Sequence, residues 1–237
     1  MEITKREVIA SVAIIAVMLA IGMWISGLIT NAKMDRDEVY NKAVQIENSD
    51  VFEYSMRTNI GNAFVYGDLL AVDTVTYPEI GGEYMYVLKV KERYTMHTRT
   101  VRYTVNGKTK TRTETYWTWD EVDRESKMCK EISFAGVVFP SNKIDIPSHY
   151  KIDTIKESSK IRYVYYGVST KYTGTIFADL RDGTIPDGTH FHNNQTIEET
   201  LRAKQAFDWN IVFWIFWIGL TGSAVYGFYY LDNRWLE

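Results

Sequence analysis

Two groups of side chains in this sequence have the types and spacing for chemistry. His190-Phe191-His192 puts two imidazoles on one side of a strand, because side chains two apart share a face. Asp179, Asp182 and Asp187 stand close enough in sequence to complete a metal site with them. Asp120, Glu121, Asp123 and Glu125 follow Tyr116-Trp117-Thr118-Trp119, and paired carboxylates beside aromatic rings can share acid–base work, as in sugar hydrolysis. Each group has a plainer alternative. Pro186-Asp187-Gly188 is an ordinary turn, and acids that follow a strand commonly form a solvated turn, with Trp117 and Trp119 anchoring what precedes it. The plainer alternative is preferred in both places, so no catalytic residue, metal or cofactor is expected. Cys129 is the single cysteine, which rules out an intramolecular disulfide and a thiolate cluster. Lys127 and Lys130 beside it favour a lowered thiol pKa, but packing at a strand edge is the preferred role. There is no Gly-rich phosphate loop, no G-x-S-x-G and no H-E-x-x-H.

The elements that must carry these groups begin with two uncharged stretches. Val8 to Ala32 is 25 residues without a charge and Trp209 to Leu231 is 23. Each exceeds the roughly 20 apolar residues that cross a bilayer as a helix. The first is too long for the core of a cleavable signal peptide, and Thr30-Asn31-Ala32 is a poor cleavage site. Two transmembrane helices are therefore predicted, 8–32 and 209–231, in contact with the lipid bilayer of a plasma membrane. Lys5 and Arg6 ahead of the first span favour a cytoplasmic N-terminus, 1–7, and hence a cytoplasmic C-terminus, 232–237, with the central domain outside. Trp24 and Trp209, with Trp214 and Trp217 deeper, are expected toward one interface and Tyr229, Tyr230 and Trp235 at the other. Small residues line one side of each span: Ala13, Ala16, Ala20 and Gly27 in the first, Gly219, Ser223 and Gly227 in the second. Such residues allow close backbone approach in lipid, either between the two spans or in a homo-oligomer.

Between the spans, setting aside Lys5, Arg6, Arg234, Glu2, Glu7, Asp232 and Glu237 leaves 24 Lys+Arg against 26 Asp+Glu. That balance argues against a nucleic-acid binder. Helical stalks are predicted at both ends. One lies in the 33–62 stalk and linker, with Asp35 to Glu47 helical. The other, 194–208, opens with Thr196-x-x-Glu199 as a capping box and runs unbroken into the second span. From 63 to 193 the composition turns to Tyr, Val, Thr, Ile and Phe with little proline. Strands are predicted at Phe64–Tyr66, Leu69–Tyr77, Tyr84–Val90, Ile132–Phe139, Ile161–Tyr166 and Tyr172–Leu180, with turns at Gly81-Gly82 and Ser141-Asn142. The expected fold class is membrane α + β: two transmembrane helices flanking a mainly antiparallel β domain, barrel or sandwich, with a protruding hairpin.

That hairpin, 94–119, is the most specific local signal. Asn106-Gly107 flanked by β-formers favours a type I′ turn. A two-residue loop then opposes Tyr103–Lys110, Val101–Arg112, Arg99–Glu114 and His97–Tyr116 on one face. The other face holds Thr104–Thr109, Arg102–Thr111, Thr100–Thr113, Thr98–Thr115, Met96–Trp117 and Tyr94–Trp119. Only the base is apolar enough to belong to a core, so the outer half should project. Arg99, Arg102, Lys108, Lys110 and Arg112 make it basic, suited to anionic headgroups, a surface polymer or an acidic partner. The alternative is a solvated hairpin that protects a sheet edge.

Glu92-x-Tyr94-x-x-x-x-Arg99-Thr100, Thr113-Glu114-Thr115-Tyr116-Trp117-Thr118-Trp119-Asp120 and Ile132-Ser133-Phe134-x-Gly136-Val137-x-Phe139 together resemble an uncharacterised family of two-span membrane proteins from Gram-positive bacteria and their phages. The resemblance implies location and no activity. The layout of span, β domain and span is also similar to the "beside a membrane" domains of membrane-anchored ubiquitin ligases and to the LUMA family, whose domains lie on the non-cytosolic side. With only Asp232 to Glu237 after the second span there is no RING, and ligase activity is not implied. The leading functional expectation is a non-enzymatic, membrane-anchored β domain that binds or organises an envelope protein or anionic surface polymer. A membrane-tethered enzyme using the acids or the histidine pair, and a span-mediated oligomer that senses or spaces, are the alternatives.

Overall fold

The computed structural model describes residues 5–235, with side chains through residue 231. The placement of residues 1–4 and 236–237 and the interfacial role expected of Trp235 lie outside the described residues and side chains. The chain forms two compact units, Met1–Ala43 with Glu198–Glu237, and Val44–Ile197.

The first unit contains α1 (Lys5–Lys42), α3 (Ile197–Ala206) and α4 (Trp209–Trp235). Both terminal helical regions are long and apolar enough to cross a membrane. The helix expected at Asp35 to Glu47 is not separate; it is the last part of α1, which ends at Lys42. Val44–Ile46 leaves as a short strand instead, burying Ile46, since a sheet partner is available there. At the other end the predicted unbroken helix is interrupted at Phe207-Asp208. The Asp208 carboxylate accepts from the Asn210 N–H at 2.9 Å and so caps α4. A side-chain cap satisfies an orphan amide without help from the preceding helix.

α1 and α4 run antiparallel, and polar contacts mark their seam. Ser11 donates to the Tyr229 hydroxyl (3.0 Å), Ser26 to Asn210 Oδ1 (2.9 Å) and Asn210 Nδ2 to Thr30 (2.9 Å). The indoles of Trp214 and Trp217 donate to Ser26 Oγ (3.3 Å) and to the Met18 carbonyl (2.9 Å). These two tryptophans hold α4 against α1. Interhelical hydrogen bonds of this kind contribute about 0.6 kcal/mol each on average. The close approach uses Gly22, where an added Cβ would stand 2.6 Å from Trp217 Nε1. The predicted small-residue stripes are elsewhere. Ala13, Ala16, Ala20 and Gly27 are exposed, and Gly27, Gly219 and Gly227 face open space. The two helices thus pair by a different face, with the Trp217 and Trp214 rings against Gly22.

The second unit consists of α2 (Ser49–Arg57) and eleven strands: β1 (Val44–Ile46), β2 (Gly61–Ala71), β3 (Tyr86–Val105), β4 (Lys108–Met128), β5 (Glu131–Phe134), β6 (Val137–Pro140), β7 (Ile144–Asp145), β8 (Tyr150–Lys156), β9 (Ile161–Val168), β10 (Lys171–Leu180) and β11 (Thr189–Asn193). One sheet has the order β6-β5-β2-β10-β11-β7, with β1 added in parallel beside β2; the other has the order β4-β3-β9-β8. Neither closes on itself, so the barrel alternative reduces to an open half-barrel plus a smaller sheet. The chain passes between the sheets at Cys129-Lys130 and at Ser169-Thr170, where Cys129 donates to Met85 O and Met85 to Val168 O, each at 2.9 Å.

Two predicted strands are corrected. Leu69–Tyr77 ends at Ala71, because Asp73 turns its carboxylate to the backbone N–H groups of Lys130 and Glu131. Ile132–Phe139 is a tight hairpin, β5 and β6, folded at Ala135-Gly136 with φ of 46° and 84°. Alanine in the left-handed region is uncommon, which is why the turn was not legible. α2, unpredicted, lays Phe52, Ser55 and Met56 into the core. The Asn48 side chain caps it by accepting from Asp50 N and Val51 N.

Candidate functional site

The ribbon β3–β4 is built as its residues dictate. Asn106 and Gly107 have φ of 50° and 73°, as a type I′ turn requires. Every opposed pair predicted from Tyr94–Trp119 to Tyr103–Lys110 is present. The pairing then continues past the predicted limits to Tyr86–Met128, with a bulge at Lys91/Glu92. β9 pairs β3 only from Tyr86 to Arg93. Beyond that point the ribbon is two-stranded for about 40 Å, and none of its residues is buried.

Its two faces differ. One is threonine-rich and ends in a ring cluster at the base. Tyr94 stacks on Trp117 and Trp119, with centroids 5.3 Å and 5.1 Å apart, and Arg162 lies 4.2 Å over Trp119. These rings were expected to join the core, yet Trp117 is 47% exposed and Met96 54%. A two-stranded arm has nothing behind it to bury them. The opposite face carries charge. Arg99 and Arg112 both hold Glu114, Arg99 at 3.0 Å, and the two guanidiniums keep that carboxyl below its ordinary pKa, Arg112 most of all. Among the described residues the side chains of Arg102, Lys108 and Lys110 have no ion-pair or hydrogen-bond partner, so the free positive charge of the predicted set is concentrated near the tip.

The acids of 120–125 do not gather at one place: Asp123 and Glu125 line a cleft among Lys89, Lys91 and Arg124, while Asp120 and Glu121 are engaged separately. Asp120 contacts His97 at 2.5 Å and Thr118 at 2.7 Å, and Glu121 pairs with Arg124 at 2.6 Å. Hydrogen bonds from Thr118 and then His97 lower the pKa of Asp120, and Arg124 lowers that of Glu121. A general acid needs the opposite shift. His190 and His192 do meet, with ring centroids 4.6 Å apart. Two of the three acids proposed to join them are engaged elsewhere, Asp179 with Arg181 at 2.9 Å and Asp187 with Lys143 at 2.7 Å. Among the described residues no three ligating side chains gather. Burial, then Asp73, pushes the Cys129 thiol up to about 11, the reverse of the lowering suggested by its lysine neighbours.

Comparison of the chain with protein-family models, with curated proteins and with solved structures finds no match. The site must therefore be read from its own chemistry.

Sequence reasoning missed a second cluster, on the small sheet. Lys127 lies 4.2 Å over the Tyr77 ring, and Lys89 lies 4.8 Å over Tyr163 while bonding Glu79 at 2.9 Å. Lys89 thus belongs to the body of the domain and not to the free charge of the arm. The only sequence signal was the recurrence of Tyr and Lys on alternate residues of separate strands. Asp73 was missed as well. Backbone N–H groups of Lys130 and Glu131 lower its pKa, so its folded value lies below its unfolded one. Its stabilisation is complete above the ordinary carboxylate range, about pH 4, and is lost as pH falls through the folded value. We expect Asp73→Asn to lower the melting temperature at neutral pH and to flatten its decline in acid. Parallel acid-melting curves would refute the assignment.

Proposed function

We propose that this protein is a two-span, membrane-anchored β domain, exposed outside the cell with its termini in the cytoplasm, that binds a negatively charged envelope partner through the β3–β4 ribbon without catalysing a reaction. The observation that carries this reading is the ribbon itself: a long arm with no buried face and with unpaired Arg102, Lys108 and Lys110 near its tip. Edge protection alone accounts for the charged residues of β4 where it borders the small sheet, but not for an arm extending a dozen residues past it. Each cation near an anionic surface contributes on the order of 1 kcal/mol.

Full-length protein should therefore co-sediment with isolated cell wall bearing its anionic polymers. Arg102→Gln, Lys108→Gln and Lys110→Gln together should weaken this on the order of a hundredfold at low salt, with the difference shrinking as salt is raised. Equal sedimentation of the triple variant, or of wall stripped of its polymers, would refute the reading. Cleavage at Asn106-Gly107 by protease added to intact cells is the matching test of orientation. A second reading, a homo-oligomer joined through the spans, draws support from the open space beside Gly219 and Gly227.

A further inference from the structure

At the end of the helical hairpin nearest the β strands in sequence, α1 and α4 line an open groove of about 470 Å3. Ile29 on one helix and Val212, Phe213 and Phe216 on the other form its apolar wall. Lys33 and Arg36, one and two turns further along α1, line the same groove together with Trp209. Among the described residues the only acid paired with these cations is Asp37, 3.3 Å from Lys33 and 3.5 Å from Arg36 Nε, so the groove keeps a net positive charge. Nε and Nη2 of Arg36 are buried and have no hydrogen-bond partner. Nε faces the equally buried Asp37 Oδ1 without making a hydrogen bond, which leaves Nη2 with no partner at all. A guanidinium N–H held away from water in this way is costly, and a planar fork of donors suits a phosphate diester.

From this arrangement we infer that the groove binds one anionic glycerophospholipid, its phosphate on Arg36 and Lys33 and an acyl chain against Phe213 and Phe216. The inference rests on the two helices crossing a bilayer. Lipid is then the medium around this groove, and basic pockets between spans at the headgroup level select acidic lipids. A soluble anion would gain nothing from the phenylalanine wall, and a neutral lipid would leave the guanidinium charge unmatched.

Native mass spectrometry of the full chain, released from detergent with phosphatidylglycerol and phosphatidylcholine of the same acyl length, tests it. Phosphatidylglycerol should be retained about tenfold more than phosphatidylcholine. Lys33→Gln with Arg36→Gln should abolish the preference. Val212→Trp, which fills the groove and leaves both charges, should abolish it too. Arg202→Gln with Lys204→Gln, an equal loss of charge on α3, should not. Equal retention of both lipids by the unaltered chain, or an unchanged preference in either groove variant, would overturn the inference, as would displacement of the lipid by inorganic phosphate. Release of the unaltered chain from phosphatidylcholine vesicles by alkaline carbonate would instead overturn the two-span reading beneath it.

Discussion

Phe52→Ala should destabilise the β unit by about 3–5 kcal/mol, the range for removing a fully buried phenylalanine. Phe52 has no exposed surface. Its ring meets Phe134 edge-on at 6.0 Å and Phe139 at 6.1 Å, so one side chain of α2 joins both strands of the β5–β6 hairpin to the core. The cavity left behind would be lined by rings held on a sheet, which cannot collapse into it. Arg57→Ala on the same helix loses only an exposed pair with Glu53 and should change little, since such pairs contribute about 0.3–0.5 kcal/mol. Thermal unfolding of the full chain in detergent, followed by near-ultraviolet circular dichroism, measures both. A loss for Phe52→Ala as small as that for Arg57→Ala would mean that α2 is not part of the cooperative unit.

Gly174→Val should cost at least the upper part of the overpacking range of about 1–3 kcal/mol. Gly174 on β10 is the register partner of Gly67 on β2, which places two residues without side chains opposite each other in the middle of the larger sheet. A Cβ at Gly174 would collide with the His192 carbonyl oxygen and come within 2.9 Å of the Phe191 ring. A Cβ at Gly67 would come within 2.7 Å of Ala135. Paired glycines let a sheet bend sharply and let neighbouring backbone approach, and here they let β11 and the β5–β6 turn close in. Valine should therefore detach β11, and amide exchange should accelerate at Asn193 and Phe191 before it does along β3. Gly174→Ala should give a smaller loss of the same kind. Unchanged exchange in β11 would show that the bend does not depend on this glycine.

The terminal apolar stretches and the β3–β4 ribbon were legible without coordinates because each is a local property. Twenty-odd uncharged residues state a helix length in themselves. Asn106-Gly107 sets a register that every following rung must obey, and the threonine and Arg–Glu rungs agree with it. Where competing contacts come from distant residues, the sequence was silent or misleading. Ala135-Gly136 reads as part of a strand because nothing in alanine announces a left-handed turn. Asp73 reads as a strand residue because its partners, the amides of Lys130 and Glu131, are far along the chain. The partners of Trp214 and Trp217 are not legible in sequence because Ser26, Met18 and Gly22 lie on the other helix.

The amino-acid order alone determined two membrane-length helices, a mainly antiparallel domain between them, and an arm with a known register. Tertiary structure alone decided which cations of that arm remain free, which helix faces meet, and that Asp120 and Glu121 are each held by a separate partner. The division follows from range: backbone conformation and hydrophobic length are fixed by neighbours in sequence, whereas the charge state and exposure of a side chain depend on whatever group the fold brings beside it.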